Sequence, residues 1–266
     1  MRVLVTRPAP QAGKWVGALR AAGIEALSLP LIEIVGPPDP QAVVAAWQGV
    51  AQCDALMFVS ANAVEHFFAL RPPGLSPEQV CAHSRFWATG PGTVSALLQA
   101  GVPGSQIDAP DQGAAQFDSE ALWQVVSHQV QADKQVLIVR GNGDADHGAD
   151  TDAGQGVGRD WLAARLRAQG ARVVFVVAYA RRAPQLQAHA LAVLQLAAAD
   201  GSVWLFSSSE AVAHLRSLAP GQSWSRACAL ATHPRIAQAA RAAGFGVVCE
   251  SRPTMAELIA SIESLA

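Results

Sequence analysis

At 266 residues, 51% of them hydrophobic and 15% charged, the chain is long enough for one large domain or for two of roughly 100–150 residues, each with a real core. No apolar run approaches the ~20 residues that span a bilayer. A formal net charge of −2 without a lysine-rich block excludes a general electrostatic attraction to nucleic acid.

Only Lys14 and Lys134 among the 19 basic residues are lysines, so arginine is almost the sole cation for two-pronged anion contacts. Met1-Arg2-Val3-Leu4-Val5-Thr6-Arg7-Pro8 turns polar before a signal-peptide core forms, which predicts a cytoplasmic protein. Cys53, Cys81, Cys228 and Cys249 are scattered without a paired spacing and read as reduced, structural thiols.

Taken in chain order, short apolar runs alternate with amphipathic stretches that stop at glycine. Arg2–Thr6 reads as a strand, the segment to about Ala22 as a helix, and Gly23 as its C-cap. Further strands are predicted near Ala55–Val59, Phe86–Thr89, Gln106–Asp108, Gln135–Val139, Arg172–Ala178, Val203–Phe206, Cys228–Ala231 and Val247–Cys249. Such alternation predicts an α/β fold with parallel sheets covered by helices.

The first unit also recurs. Val3-Leu4-Val5-Thr6-Arg7 matches Val136-Leu137-Ile138-Val139-Arg140, and the stretch from Phe58 to His66 matches that from Phe206 to His214. Ala88-Thr89-Gly90-Pro91 matches Ala231-Thr232-His233-Pro234. Three matches in one order predict a duplicated domain. The extended stretches Ile24–Val35 and Ala171–Arg182 then read as two crossings between domains, a two-strand hinge. Residues 1–34 and 181–266 are assigned to one discontinuous α/β domain and 35–180 to the other, with a flexible, glycine-rich insertion at 144–157.

In open parallel sheets, ligands bind beyond the carboxyl ends of the strands, where helix N-termini present free N–H groups. Small polar residues gather there: Thr6-Arg7, Ser60-Ala61-Asn62, Thr89 to Thr93 including Gly90, Arg140-Gly141-Asn142-Gly143, Ser207-Ser208-Ser209 and Thr232-His233. Each loop alone is explained by helix capping; together they favour an anionic ligand, expected in a cleft between the domains. Gly141-Asn142-Gly143 lacks the Walker lysine and the Rossmann third glycine, so no nucleotide cofactor is indicated. No nucleophile elbow is present. The Asp144-x-Asp146 and Asp150-x-Asp152 pairs fail the calcium-loop pattern, so no metal is expected. Tyr179, the one tyrosine, lies in the second crossing and reads either as a half-buried hinge aromatic or as a phenol that donates to a leaving oxygen or orients the substrate.

Several of these pieces form an ordered set: Val5-Thr6-Arg7-Pro8, Ser60-Ala61-Asn62-Ala63-Val64, Thr89-Gly90-Pro91-Gly92-Thr93, Arg140-Gly141 resuming at Gly158-Arg159, Tyr179-x-Arg181, and the Ile236–Gly244 helix. Over the whole length this set resembles the uroporphyrinogen-III synthase family. The resemblance implies two flavodoxin-like domains joined by a two-stranded β-ladder. It also implies a cofactor-independent lyase that closes hydroxymethylbilane, a linear tetrapyrrole bearing acetates and propionates, while inverting the last ring through a spiro intermediate. By position it makes Tyr179 the candidate catalytic residue. It makes Arg7, Ser60, Asn62, Gly90, Thr93, Arg140, Arg159, Arg181, Ser207, Ser208 and Thr232 candidates for holding substrate. It further implies a monomer that touches the preceding pathway enzyme transiently. The insertion separates Arg159 from Arg140, and Val59 stands where the family often has threonine. The rival reading is a two-domain small-molecule binding or sensory module without catalysis.

Overall fold

The computed structural model describes residues 1–75, 84–111, 117–142 and 157–265. The chain separates into two compact units, one of residues 1–34 with 182–266 and one of residues 35–181.

The first unit is a five-stranded, all-parallel sheet in the order β11-β10-β9-β1-β2. Its strands are β1 (Arg2–Val5), β2 (Glu25–Ser28), β9 (Val203–Phe206), β10 (Cys228–Ala231) and β11 (Val247–Glu250). Strand alternation sends Leu4, Trp204 and Phe206 into a core on one face, where Trp224 stacks on Phe245, and sends Val3, Val5, Val203 and Leu205 into a second core on the other. The helices are α1 (Ala9–Ala21), α7 (Ala188–Ala197), α8 (Ser209–Leu218), α9 (Pro234–Ala242) and α10 (Met255–Glu263). At the end of α1, Gly23 has φ 81°, and the amides of Gly23 and Ile24 return to Arg20 and Leu19. That left-handed position is why glycine stops this helix.

The second unit's sheet runs β3-β8-β7-β4-β5-β6. These strands are β3 (Glu33–Val35), β4 (Ala55–Phe58), β5 (Arg85–Ala88), β6 (Ile107–Asp108), β7 (Gln135–Asn142) and β8 (Arg172–Arg182). The helices are α2 (Pro40–Gly49), α3 (Ala61–Ala69), α4 (Pro91–Gln99), α5 (Ser119–Val126) and α6 (Val157–Ala168). One face packs Met57, Trp87, Val136 and Ile138 under α5 and α6. Phe58, Phe67, Phe86 and Trp47 form an aromatic cluster elsewhere in the unit, with the Trp47 indole satisfied by the Phe67 carbonyl at 2.9 Å.

Starting the second unit at β7 gives the strand sequence β7, β8, β4, β5, β6, whose spatial order is that of β1, β2, β9, β10, β11. Both are the flavodoxin-like order 2-1-3-4-5, the second cyclically permuted. The stretch 24–35, predicted to be extended throughout, is two strands in two different sheets. Leu29 and Leu31 donate to Val5 and Thr6, so the chain follows β1 past Pro30, which has no amide to give.

Acids at equivalent strand starts tie neighbouring strands. Asp200, ahead of β9, accepts from Arg2 and Ser202; Asp54, ahead of β4, accepts from Lys134 at 2.6 Å and from the Gln135 amide at 2.8 Å. Partial burial raises the Asp54 pKa, but these hydrogen bonds outweigh it and hold the carboxyl below its ordinary value. A depressed folded-state pKa stabilises the fold above the unfolded value of ~3.9 and ceases to do so as pH falls through the folded value. Asp54→Asn is therefore expected to lower the melting temperature at pH 7, by less as the pH approaches ~3. A gap that stays constant over that range would remove the ionised carboxylate as its cause.

Among the described residues no helix is long and apolar enough to cross a membrane. The predicted insertion lies outside the described residues up to residue 156, as do its aspartates.

Candidate active site

The order of each sheet reverses at its central strand pair, and beyond the carboxyl ends of that pair the flanking helices diverge. In the second unit the pair is β4 and β7, which carry Ser60 and Arg140-Gly141-Asn142 at their ends.

Tyr179 reaches this point because of a bulge. On β8, Val177 pairs with Arg140 and Tyr179 with Gly141, so Ala178 is an extra residue. Without it, strict alternation would put Tyr179 on the face of Val177 and Phe175; with it, the phenol is carried to the face of α3. There the ring is 4% exposed. Its hydroxyl lies 3.2 Å from Ser60 Oγ, and its ring is stacked with His66 at a centroid separation of 5.9 Å and 24° between planes. Gly141 lies under the ring so closely that a Cβ there would sit 2.2 Å from Tyr179 Cζ. Glycine is required by this approach.

Ser60 is also the N-cap of α3, its Oγ accepting from the Ala63 amide at 3.2 Å. The capping amide occupies one lone pair, so the serine hydrogen remains free to donate to the tyrosine oxygen and leave the phenolic hydrogen for a third group. The N-terminal end of α3, with its partial positive charge, lies at this hydroxyl pair and favours negative charge there.

Arg140, near the end of β7, lies on the opposite face. Its guanidinium lies 5.0 Å from the centre of the Phe175 ring, and Arg167 lies 5.6 Å from the same ring. The Arg140 Nε is buried with no hydrogen-bond partner among the described residues, a costly state for a charged donor unless an acceptor arrives. Asn62 is in the first turn of α3, and Arg181 is near the end of β8, half-buried. Gly90 is the N-cap of α4, where a Cβ would meet Phe117 at 3.1 Å, and Thr93 is buried in the same helix. Arg159 is in the first turn of α6, but its side chain lies outside the described residues.

In the first unit the corresponding ends belong to β1 and β9. Arg7 donates twice to Gln11 Oε1, at 3.1 and 2.8 Å, and lies 4.4 Å over the Trp15 ring; burial lowers its pKa from the ordinary value. Ser208 caps α8 through the Glu210 amide, Ser207 is half-buried beside it, and the Thr232 amide donates to Phe206. The capping expectation thus holds for Ser60 and Ser208, and for His233, whose Nδ1 accepts from Arg235.

Two contributors are not among the sequence-derived candidates. His66 has no local signature, since its partner is 113 positions away in another element. Gly141 is visible only as part of a glycine-rich loop. Among the described residues, no cluster of three or more His, Cys, Asp or Glu is suited to a metal ion.

Residues 13–260 match the family model for uroporphyrinogen-III synthase HemD. The chain is 28% identical to the uroporphyrinogen-III synthase of Escherichia coli K12 over 254 residues, covering 92% of each chain. It is 32% identical to that of Salmonella typhimurium LT2 over 186 residues, which are 68% of this chain and 65% of the relative. Among solved structures, the uroporphyrinogen-III synthetase of Helicobacter pylori 26695 aligns with a TM-score of 0.60 over 100% of both chains at 16% identity. A mutant uroporphyrinogen III synthase from the extremely thermophilic bacterium Thermus thermophilus gives 0.57 at 16%, covering 100% of this chain and 98% of that one, and these two likenesses carry the fold. The chain belongs to the uroporphyrinogen-III synthase family.

Proposed function

We propose that this protein is a uroporphyrinogen-III synthase acting on hydroxymethylbilane, and that Tyr179 is the acid that assists loss of the substrate's hydroxyl. The observation that supports the assignment of Tyr179 is its hydrogen bond with Ser60 at the N-terminus of α3. With Ser60 donating to the phenol oxygen, the phenol hydrogen is passed to the departing hydroxyl, which leaves as water. The resulting phenolate is held by Ser60 and the end of the helix. The pyrrole nitrogen supplies the electrons that expel the hydroxyl and leaves an azafulvene. The substituted carbon of the last ring attacks it to give the spiro intermediate. Fragmentation and reclosure invert that ring, and the proton lost as the last pyrrole regains aromaticity returns to the phenolate. Atoms balance as substrate to product plus water.

The remaining task is to hold a flexible polycarboxylate in the conformation that permits attack by the substituted carbon. Arg140, whose buried Nε has no partner among the described residues, is suited to a carboxylate. Arg7, Asn62, Gly90, Thr93, Arg159, Arg181, Ser207, Ser208 and Thr232 are proposed to hold substrate through side chains or backbone amides. The proposal takes the enzyme to be a cytoplasmic monomer in transient contact with the enzyme that supplies its short-lived substrate.

Supplying hydroxymethylbilane from a coupled enzyme and separating the oxidised porphyrins tests the function. Isomer III above the spontaneous isomer I is the expected result; isomer I alone from folded protein would leave the binding-module reading. Tyr179→Phe is expected to lower kcat by about 10²-fold while KM changes by less than about twofold. Unchanged turnover would remove the acid role.

A further inference from the structure

A phenol that delivers a proton must hold its O–H along one line, and a single hydrogen bond does not fix a ring that is free to swing about its side-chain torsions. Tyr179 is held at three places. Gly141 bounds it from the strand side, Ser60 holds its hydroxyl, and His66 lies along its ring from the helix side. Two of these contacts come from α3, Ser60 at its cap and His66 in its last turn. The helix therefore grips the tyrosine at the hydroxyl and along the ring together. Offset stacking at 5.9 Å and 24° is within the range where aromatic pairs attract and resist tilting.

We propose that His66 is a positioning residue for Tyr179, its imidazole fixing the plane of the phenol so that the hydroxyl is presented to the leaving group in one orientation. The inference rests on the reading of Tyr179 as the acid. His66 acts through the tyrosine ring, and its aromatic surface is the property required.

Because the chain has a single tyrosine, ring-labelled tyrosine gives one NMR spin system that reports this residue alone. His66→Ala is expected to lower kcat roughly tenfold with KM within about twofold, and to shift and sharpen the Tyr179 ring signals as the imidazole ring current and restraint are lost. His66→Phe should restore kcat to within about threefold of the parent, whereas His66→Leu, which fills space without a ring, should stay slow. The proposal is overturned if His66→Ala moves the ring signals without slowing turnover, if it leaves those signals in place, or if His66→Leu is as fast as His66→Phe. A folding defect in the alanine variant is seen as lost signal dispersion, and the comparison of Phe with Leu then decides. Failure of the acid reading looks different: Tyr179→Phe would turn over normally. If Tyr179→Phe is slow and His66→Ala is fast, only the positioning role falls.

Discussion

Gly141→Ala should nearly abolish turnover, lowering kcat by at least ~10²-fold, and should also destabilise the protein by on the order of 2 kcal/mol. The added methyl would lie 2.2 Å from Tyr179 Cζ and 2.6 Å from both Cε atoms, well inside contact distance. Relief requires the phenol to lift away from β7. That movement disturbs both of the ring's contacts with α3, to Ser60 and to His66. The alternative is to open the β7–β8 ladder at the bulge, which breaks main-chain hydrogen bonds. Either response displaces the hydroxyl from the place where it hands over its proton. A double variant, Gly141→Ala with Tyr179→Phe, should be little slower than Tyr179→Phe alone, because the methyl acts through the phenol. Additive losses would show that Gly141 serves turnover by another route.

Gly246→Ala should have the largest effect on stability, on the order of 3 kcal/mol, or a fall in melting temperature of roughly 6–12 °C. A Cβ there would be 2.0 Å from the Ser225 carbonyl oxygen and 2.9 Å from its carbon. The obstacle is main chain, which cannot swing aside as a side chain can. Gly246 also donates to Trp224 at 3.2 Å, and its neighbour Phe245 stacks on Trp224 with ring centres 5.5 Å apart. Separating the segments would therefore loosen the cluster of Trp204, Phe206, Trp224 and Phe245 that fills one face of the first sheet. Thermal melts followed by near-ultraviolet circular dichroism read this directly, and a melting temperature within about one degree of the parent would show that the backbone gives way cheaply.

The fold class was legible because duplicated pattern survives in particular residues. Val3-Leu4-Val5-Thr6-Arg7 and Val136-Leu137-Ile138-Val139-Arg140 occupy equivalent central strands, β1 and β7. Their apolar runs reflect strands covered on both faces. Ser60 and Ser208 stand at matching strand ends, and both cap the helix that follows. What the sequence did not disclose depends on register. Alternation along Arg172–Arg182 gives no sign of an extra residue at Ala178, so the face that Tyr179 occupies could not be read locally. The stacking of His66 on that ring follows from the same bulge, and the closeness of Gly141 from a strand pairing across almost forty positions. Pro30 was visible as an interruption, but that the two sides of it belong to different sheets is decided by which neighbours accept their hydrogen bonds.

The position of β1 also orders events during synthesis. β1 leaves the ribosome well before β9, yet its place is between β2 and β9, where Val5 pairs with Leu205. At ~5–20 residues per second, Val3, Leu4 and Val5 have only β2 beside them for roughly 10–40 seconds. During that interval the whole of 35–181 emerges as one uninterrupted stretch able to complete its own sheet. The continuous unit is thus expected to mature before the discontinuous one, and β1, with one side of an apolar strand unpaired, is a segment a chaperone would meet.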